Sequence, residues 1–281
     1  MGGQRLKNEQ LNSYREHLLR EERAPGTVEK YLRDICAFAE WLNGREITRE
    51  LGAAWKEHLL SQGQAPVTVN AKLSALNGLL GFLGLEGCRV KSLKIQRRTF
   101  RENARELTRE EYQRLVSAAQ SGGQDRLGLL LETICATGIR VSEVSYITVE
   151  AAKRGRADVS LKGKIRTILL PNRLCRKLLK YAKKHKTTSG EIFRTRSGKS
   201  LSRSQIWREM KSLCEKAGVE ASKVFPHNLR HLFATAFYQA TRDIVKLADV
   251  LGHSSIETTR IYLIATGAEH ARQMERLRLI S

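Results

Sequence analysis

The stretch Pro226-His227-Asn228-Leu229-Arg230-His231 decides how the rest of the chain is read. Arg230 follows His227 by three residues, so on a helix the two side chains project from one face. Together they offer a fixed cation and a hydrogen-bond donor to the same oxygen. A lone histidine would more often be a core-edge residue bonded to backbone. Here three histidines fall inside two short phrases, the second being Leu251-Gly252-His253-Ser254. Nine residues beyond His253 stands Tyr262, in Arg260-Ile261-Tyr262, and far upstream lies Thr137-Gly138-Ile139-Arg140.

These residue types suit attack on a phosphodiester. Such an anion resists nucleophiles, so metal-free cleavage needs cations on the non-bridging oxygens, an in-line nucleophile and an acid for the leaving oxygen. Arg140, just after a glycine and near a helix start, can grip two phosphate oxygens bidentately. Glu143, one turn later, either orients that arginine or makes an ordinary surface ion pair with it. Tyr262 is a weak nucleophile on its own, with an unperturbed pKa near ~10. Beside arginines that stabilise its phenolate it becomes a useful one; elsewhere it is a packing residue. Lys162, at the tip of an expected hairpin, either protonates a leaving oxygen or is a solvated turn lysine. His227 and His231 are also spaced as in a zinc-binding helix, with His253 as a third ligand. The position directly after the first histidine, however, is Asn228 and not the glutamate a zinc hydrolase uses as base.

The charge balance supports a polyanion partner. The 281 residues carry 50 Lys+Arg against 29 Asp+Glu, a net charge of +21. Residues 107–281 hold 32 of these cations against 16 acids, whereas residues 1–95 hold 14 against 11. Nucleic acid is the first candidate and an anionic membrane surface the second. No apolar run approaches the length of a membrane span, and the polar start resembles no signal peptide. The five cysteines are widely spaced with no C-x-x-C pair. They are expected to be small core residues in a reducing compartment, which points to the cytoplasm.

Hydrophobic periodicity predicts a mainly α chain with a small β-sheet, of the α+β class. Four helices are expected before residue 95: one over Asn8–Arg23, one from Pro25, one capped by Thr48 and one from Pro66. Residues 96–106, with no periodic apolar face, read as a basic linker. The part from 107 to 281 begins with a capping box, Thr108 with Glu111. Helices are then expected at Thr108–Ala119, Asp125–Ala136, a short one from Ile139, Arg173–Lys184, Ser202–Ala217, Asn228–Thr241, Ile244–Leu251, Thr258–Tyr262 and Ala268–Leu277. A hairpin is expected from Asp158–Leu161 and Ile165–Leu170.

Taken in order, Thr137-Gly138-Ile139-Arg140-Val141-Ser142-Glu143, His227-Asn228-Leu229-Arg230-His231, Leu251-Gly252-His253-Ser254-Ser255 and Tyr262 resemble the signatures of the tyrosine recombinases, the phage integrase family. The resemblance covers nearly the whole chain. It implies a helical core-binding domain at 1–95 and a catalytic domain at 107–281, closing as a C-shaped clamp on duplex DNA. It implies attack by Tyr262 to give a 3′-phosphotyrosine and a free 5′ hydroxyl. Arg140 and Arg230 would clamp the phosphate, His227 and His253 would bond to it, and Lys162 would be the general acid. No metal or cofactor is implied. The family hairpin often reads Lys-Gly-x-Lys-x-Arg, one residue longer than Lys162-Gly163-Lys164-Ile165-Arg166, so Lys164 rivals Lys162. The segment Ala268–Leu277 is similar to the tail that members pass to a neighbour, although packing in cis is the alternative.

The resemblance further implies double-stranded recombination sites as partners. The protein would be a monomer when free and a homotetramer on DNA, with room for accessory DNA-bending factors. The chain starts almost directly with the core-binding helices, which favours a Xer-like recombinase, an invertase or a small-element integrase over one with an arm-binding domain. Lys30, Arg33, Asn70 and Lys72, on the second and fourth helices, are the candidate groove readers. Two rival readings share the fold: a type IB topoisomerase-like enzyme, and a DNA-binding protein that does not cut.

Overall fold

The computed structural model describes residues 6–95, 106–161 and 164–262, together with Glu275. Two compact units divide the chain, Met1–Arg97 and Arg98–Ser281.

The first unit is built from α1 (Asn8–Arg20), α2 (Pro25–Leu42), α3 (Arg49–Ser61) and α4 (Pro66–Phe82). Two of these helices share one start. Pro25 and Pro66 occupy the first turn, where a missing N–H costs nothing, and the carbonyls of Ala24 and Ala65 accept the first helical N–H groups. Thr48 caps α3 through its hydroxyl, which accepts from the Leu51 N–H at 3.2 Å. α1 stops three residues earlier than the periodicity suggests, because Glu22 turns to a positive φ of 55°. Phe38, Trp55, Leu73, Leu76 and Leu80 form the main core of this unit.

Asn70 does not stand as a free groove reader. Its amide donates to the Leu93 carbonyl at 2.9 Å and accepts from the Leu93 N–H at 2.8 Å. Asn77, seven residues on and on the same helix face, holds Val90 in the same two-handed way. The two asparagines fasten the segment that leaves α4, a job that keeps them in place and turns the Asn70 amide away from other tasks. Lys30 is ion-paired with the buried Asp34 at 2.6 Å. Arg33 is exposed and Lys72 half-buried.

The second unit begins with α5 (Arg109–Ser121) and α6 (Asp125–Thr137). The Thr108–Glu111 capping box forms with bonds of 2.8 and 3.2 Å. A short 3₁₀ turn over Val141–Tyr146 leads into α7 (Val149–Arg154), which the periodicity did not suggest because it is a single capped turn and a half. β1 (Arg156–Leu161) and β2 (Lys164–Leu169) form the antiparallel hairpin, in register from Arg156 opposite Leu169 to Leu161 opposite Lys164. Lys162 lies outside the described residues.

Then come α8 (Asn172–Lys184), α9 (Arg203–Lys211) and α10 (Cys214–Ala217). The expected single helix over Ser202–Ala217 is two. The Ser212 hydroxyl bonds the Glu209 carbonyl at 2.8 Å, and the next N–H, of Leu213, reaches back only to Met210. Such side-chain bonding to the preceding turn competes with helix continuation. α11 (Pro226–Thr241), α12 (Ile244–Leu251) and α13 (Ile256–Arg260) end the described part. The expected helix at Ala268–Leu277 falls outside it, apart from Glu275.

α6 has eight of its thirteen residues buried and packs against α5, α8 and α11. It is the spine of the second unit. Of the five cysteines, only Cys175 and Cys214 are buried; Cys36 is exposed, so the core-residue expectation fails there. The reason is phase: Cys36 follows the buried Ile35 and precedes the buried Phe38 on α2, and so points outward. Among the described residues no helix is long and apolar enough to cross a membrane.

Candidate active site

The site is assembled at the ends of helices. α6 terminates at Gly138, whose φ of +63° gives the left-handed cap that glycine adopts without strain. A side chain here would also collide with the Phe233 ring. The freed Gly138 carbonyl accepts from Arg230 Nη1. Two residues on, Arg140 caps the 3₁₀ turn: its N–H donates to Glu143 Oε2 at 2.8 Å and its Nη1 to Glu143 Oε1 at 3.1 Å. Glu143 is buried, while the Arg140 side chain remains 41% exposed. That contrast settles the two readings of Glu143. It is no surface pair but a buried brace for a guanidinium that still faces outward.

α11 starts at Pro226, two residues before the expected Asn228, since proline at the first position pre-sets the backbone. His227 therefore sits in the first turn of a sixteen-residue helix and is exposed. Arg230, one turn later, is buried at 3% exposure. Besides Gly138, its guanidinium reaches the Leu251 carbonyl at 2.9 Å and His253 Nε2 at 2.8 Å. The other nitrogen of His253, Nδ1, meets the Thr259 hydroxyl at 2.9 Å. Both ring nitrogens are thus engaged, which leaves the zinc alternative short of its third ligand. Among the described residues no cluster of three or more His, Cys, Asp or Glu is placed to hold a metal ion.

Tyr262 follows α13 and is buried at 5% exposure. Its ring is enclosed by three imidazoles. His253 lies parallel at 6.0 Å between centroids, His231 at 5.1 Å and His227 at 6.4 Å. The Tyr262 hydroxyl lies close enough to Arg230 to help hold its charge. Ala234, Leu247 and Leu251 pack the same cluster from α11 and α12. The structure thus brings Arg140, His227, Arg230, His253 and Tyr262 into one place in one chain. Lys30, Arg33, Asn70 and Lys72 belong to the other unit.

Two contributors escaped the sequence reading. The sequence assigns His231 no role beyond the signature phrase and the zinc alternative, yet its ring lies tilted against Tyr262 and 3.6 Å from Glu106. Arg166 was seen only as part of the hairpin phrase. Strand alternation puts it on the inner face with Ile168, while Ile165, Thr167 and Leu169 face out. From there it ion-pairs with Glu143 Oε2 at 3.1 Å and donates to the Leu251 carbonyl. It thereby ties the brace of Arg140 to the carbonyl that Arg230 also uses. An arginine in phase with buried aliphatic residues was the available signal. Gly252, at φ +62°, leaves the room that the Arg166 side chain fills.

The electrostatics are lopsided. Three guanidinium groups share one carboxylate. Burial, and then the neighbouring cations, push Arg166 down to about 10 despite Glu143. Burial likewise lowers Arg230, against the hold of the Tyr262 hydroxyl. His253 is lowered to about 4 by burial first and then by Arg230, Arg140, Arg166 and His227. A pocket with surplus positive charge, partly withdrawn from water, is prepared for an anion.

A pH dependence follows. An imidazole held below its ordinary 6.5 takes up a proton more readily once the chain unfolds, so acid favours unfolding. The contribution of His253 to stability is complete above pH 6.5 and is lost as the pH falls from there toward about 4. Melting temperatures measured across that window should drop with acid in the wild type and drop less in His253→Gln. Equal acid slopes in the two proteins would refute the assignment.

Comparison with known proteins agrees with this geometry. Residues 105–268 match the phage integrase family, and residues 11–87 match the phage integrase N-terminal SAM-like domain. The chain is 29% identical to tyrosine recombinase XerA of Pyrococcus furiosus, over 98% of this chain and 96% of the relative. It is 31% identical to XerA of Thermococcus kodakarensis, over 97% and 96%. Among solved structures, a lambda integrase fragment dimer bound to a COC′ core site superposes with a TM-score of 0.74 at 19% identity, covering 92% of this chain and 95% of that one. XerH bound to its difH substrate superposes with a TM-score of 0.69 at 20% identity, covering 95% and 84%. The matched region spans both the Arg140 turn and Tyr262, and on that basis the chain belongs to the phage integrase family, the tyrosine recombinases.

Proposed function

We propose that the protein cuts and rejoins duplex DNA at specific sites through a 3′-phosphotyrosine formed by Tyr262. The observation that carries this reading is the seat of Tyr262: a buried phenol beside Arg230 and next to three histidines of its own chain. Arg140 and Arg230 bind the non-bridging oxygens of the scissile phosphate, and the N-terminus of α11 adds its dipole. The arriving anion offsets the field that depresses His253, so the imidazole can share or donate a proton to phosphate. Arg230 stabilises the phenolate as Tyr262 Oη bonds to phosphorus and the 5′ oxygen leaves. Lys162 protonates that oxygen, with Lys164 its rival. The bond energy is kept in the phosphotyrosine, so rejoining needs no cofactor.

The substrate is a pair of double-stranded recombination sites, held by a homotetramer that assembles from free monomers, with accessory DNA-bending factors as further partners. The first unit contributes groove contacts, for which Arg33, Lys72 and Lys30 are the candidate side chains. Action on chromosomal or mobile DNA places the protein in the cytoplasm. Solved relatives include a lambda integrase tetramer bound to a Holliday junction, which lends support to the tetramer. The test is covalent trapping. The protein is mixed with nicked duplexes carrying the sequences that flank its gene, in EDTA, and run on a denaturing gel. A denaturant-resistant adduct supports the reading. Binding without any adduct would favour the non-cutting protein, and relaxation of supercoils without strand exchange would favour the topoisomerase.

A further inference from the structure

The outer face of α8 carries a charge that the active site does not use. Between residues 173 and 184, Leu174, Cys175, Leu178 and Ala182 are buried in the main core of the unit. The exposed positions are Arg173, Arg176, Lys180, Lys183 and Lys184. At 100° per residue these cations share a single stripe. Like charges three and four residues apart work against the helix, and no acid is interleaved among them. Among the described residues the salt bridges to this helix are Lys177 with Glu132 and Lys184 with Asp125. Lys153 and Arg154, at the end of α7, extend the stripe across a cavity of about 540 Å³ that Asn172 and Arg176 also line.

This face lies away from the catalytic residues. α6, most of it buried, packs against α8 and against α11. The stripe is on the side of α8 opposite the buried Leu174, Leu178 and Ala182, so it faces away from the core that α8 shares with α6. We propose that the α8 face binds a second segment of duplex DNA, separate from the one being cut, through its phosphates. The stripe suits a backbone and not bases: its cations recur at every turn, Asn172 at its start is its one amide, and the one aromatic of α8, Tyr181, is half-buried. The choice of DNA as the polyanion rests on the function proposed above.

The test uses the full chain and the variant Arg176→Ala/Lys180→Ala/Lys183→Ala, whose changes are all on exposed side chains. A biotinylated 20-base-pair duplex is immobilised and loaded with at most one protein per duplex. A dye-labelled duplex of arbitrary sequence is then offered. Wild type should retain the labelled duplex, and the triple variant should retain at least tenfold less, with the salt slope of retention reduced by about two to three. Both proteins should melt at the same temperature and form the Tyr262 adduct equally. Retention that survives the triple change, or no retention by wild type, would overturn the proposal. So would a parallel loss of retention and adduct, which would assign the face to the duplex being cut. Vesicles of phosphatidylserine and phosphatidylcholine bound by wild type but not by the variant, with duplex retention unchanged, would assign the face to a membrane. Retention that depends on the stripe while no adduct forms with any protein would leave this inference standing and remove the catalytic one.

Discussion

Tyr262→Phe should abolish the covalent adduct while leaving the protein folded and bound to DNA. The ring makes the packing: it fills the space between His253, His231 and His227 and rests on Ala234, Leu247 and Leu251. Phenylalanine keeps that ring and removes only the hydroxyl. What is lost is the sole atom able to bond to phosphorus, together with one partner of Arg230. Arg230 keeps the carbonyls of Gly138 and Leu251 and the His253 ring, so its position should hold. Leaving one hydrogen bond unmade costs about 1–3 kcal/mol at most. The expected result is therefore an all-or-none loss on the denaturing gel, with a melting temperature within a few degrees of wild type and unchanged affinity in a mobility shift. A residual adduct at wild-type level would mean that another side chain is the nucleophile.

Glu143→Ala should be the most damaging single change to stability and to catalysis together. The carboxylate is buried, and its two oxygens serve the Arg140 N–H, the Arg140 guanidinium and the Arg166 guanidinium. Removing it strands Arg166, only 12% exposed, among like charges. Breaking a buried pair from one side typically costs about 3–5 kcal/mol. For a unit of this size that is a fall of roughly 10 °C in melting temperature. Arg140 also loses the brace that fixes its direction, so adduct formation should fall by about 10²–10³ even where the protein is folded. Glu143→Gln retains an oxygen for the Arg140 N–H and should lie between the two. A melting temperature unchanged by Glu143→Ala would show that the three arginines do not depend on this carboxylate.

The sequence by itself determined the family and named the candidate residues of the site. Arg140, His227, Arg230 and His253 are marked by local grammar: a glycine that ends a helix, a three-residue helical spacing, a second glycine before a histidine; Tyr262 is marked by the resemblance. Such features are read from neighbours in the chain, and they fixed the helix starts at Pro25, Pro66 and Thr108 for the same reason. Short or competing elements were less legible. α7 is too brief to show a period, and the split between α9 and α10 depends on one serine hydroxyl turning back to its own helix.

Only the tertiary structure decided how the site is supported. Arg166 is sixty-four residues from Arg230 by the numbering of the chain, yet they share the Leu251 carbonyl. His231 comes to lie beside Tyr262 only once α12 packs on α11 and α13 packs on α12, returning the chain to that helix. Asn70, a plausible base reader by residue type, is instead taken up by the backbone of Leu93. A side chain's type limits what it can do, but its partners come from wherever the fold returns the chain. That is why the candidate reacting groups could be named from the sequence and the groups that hold them could not.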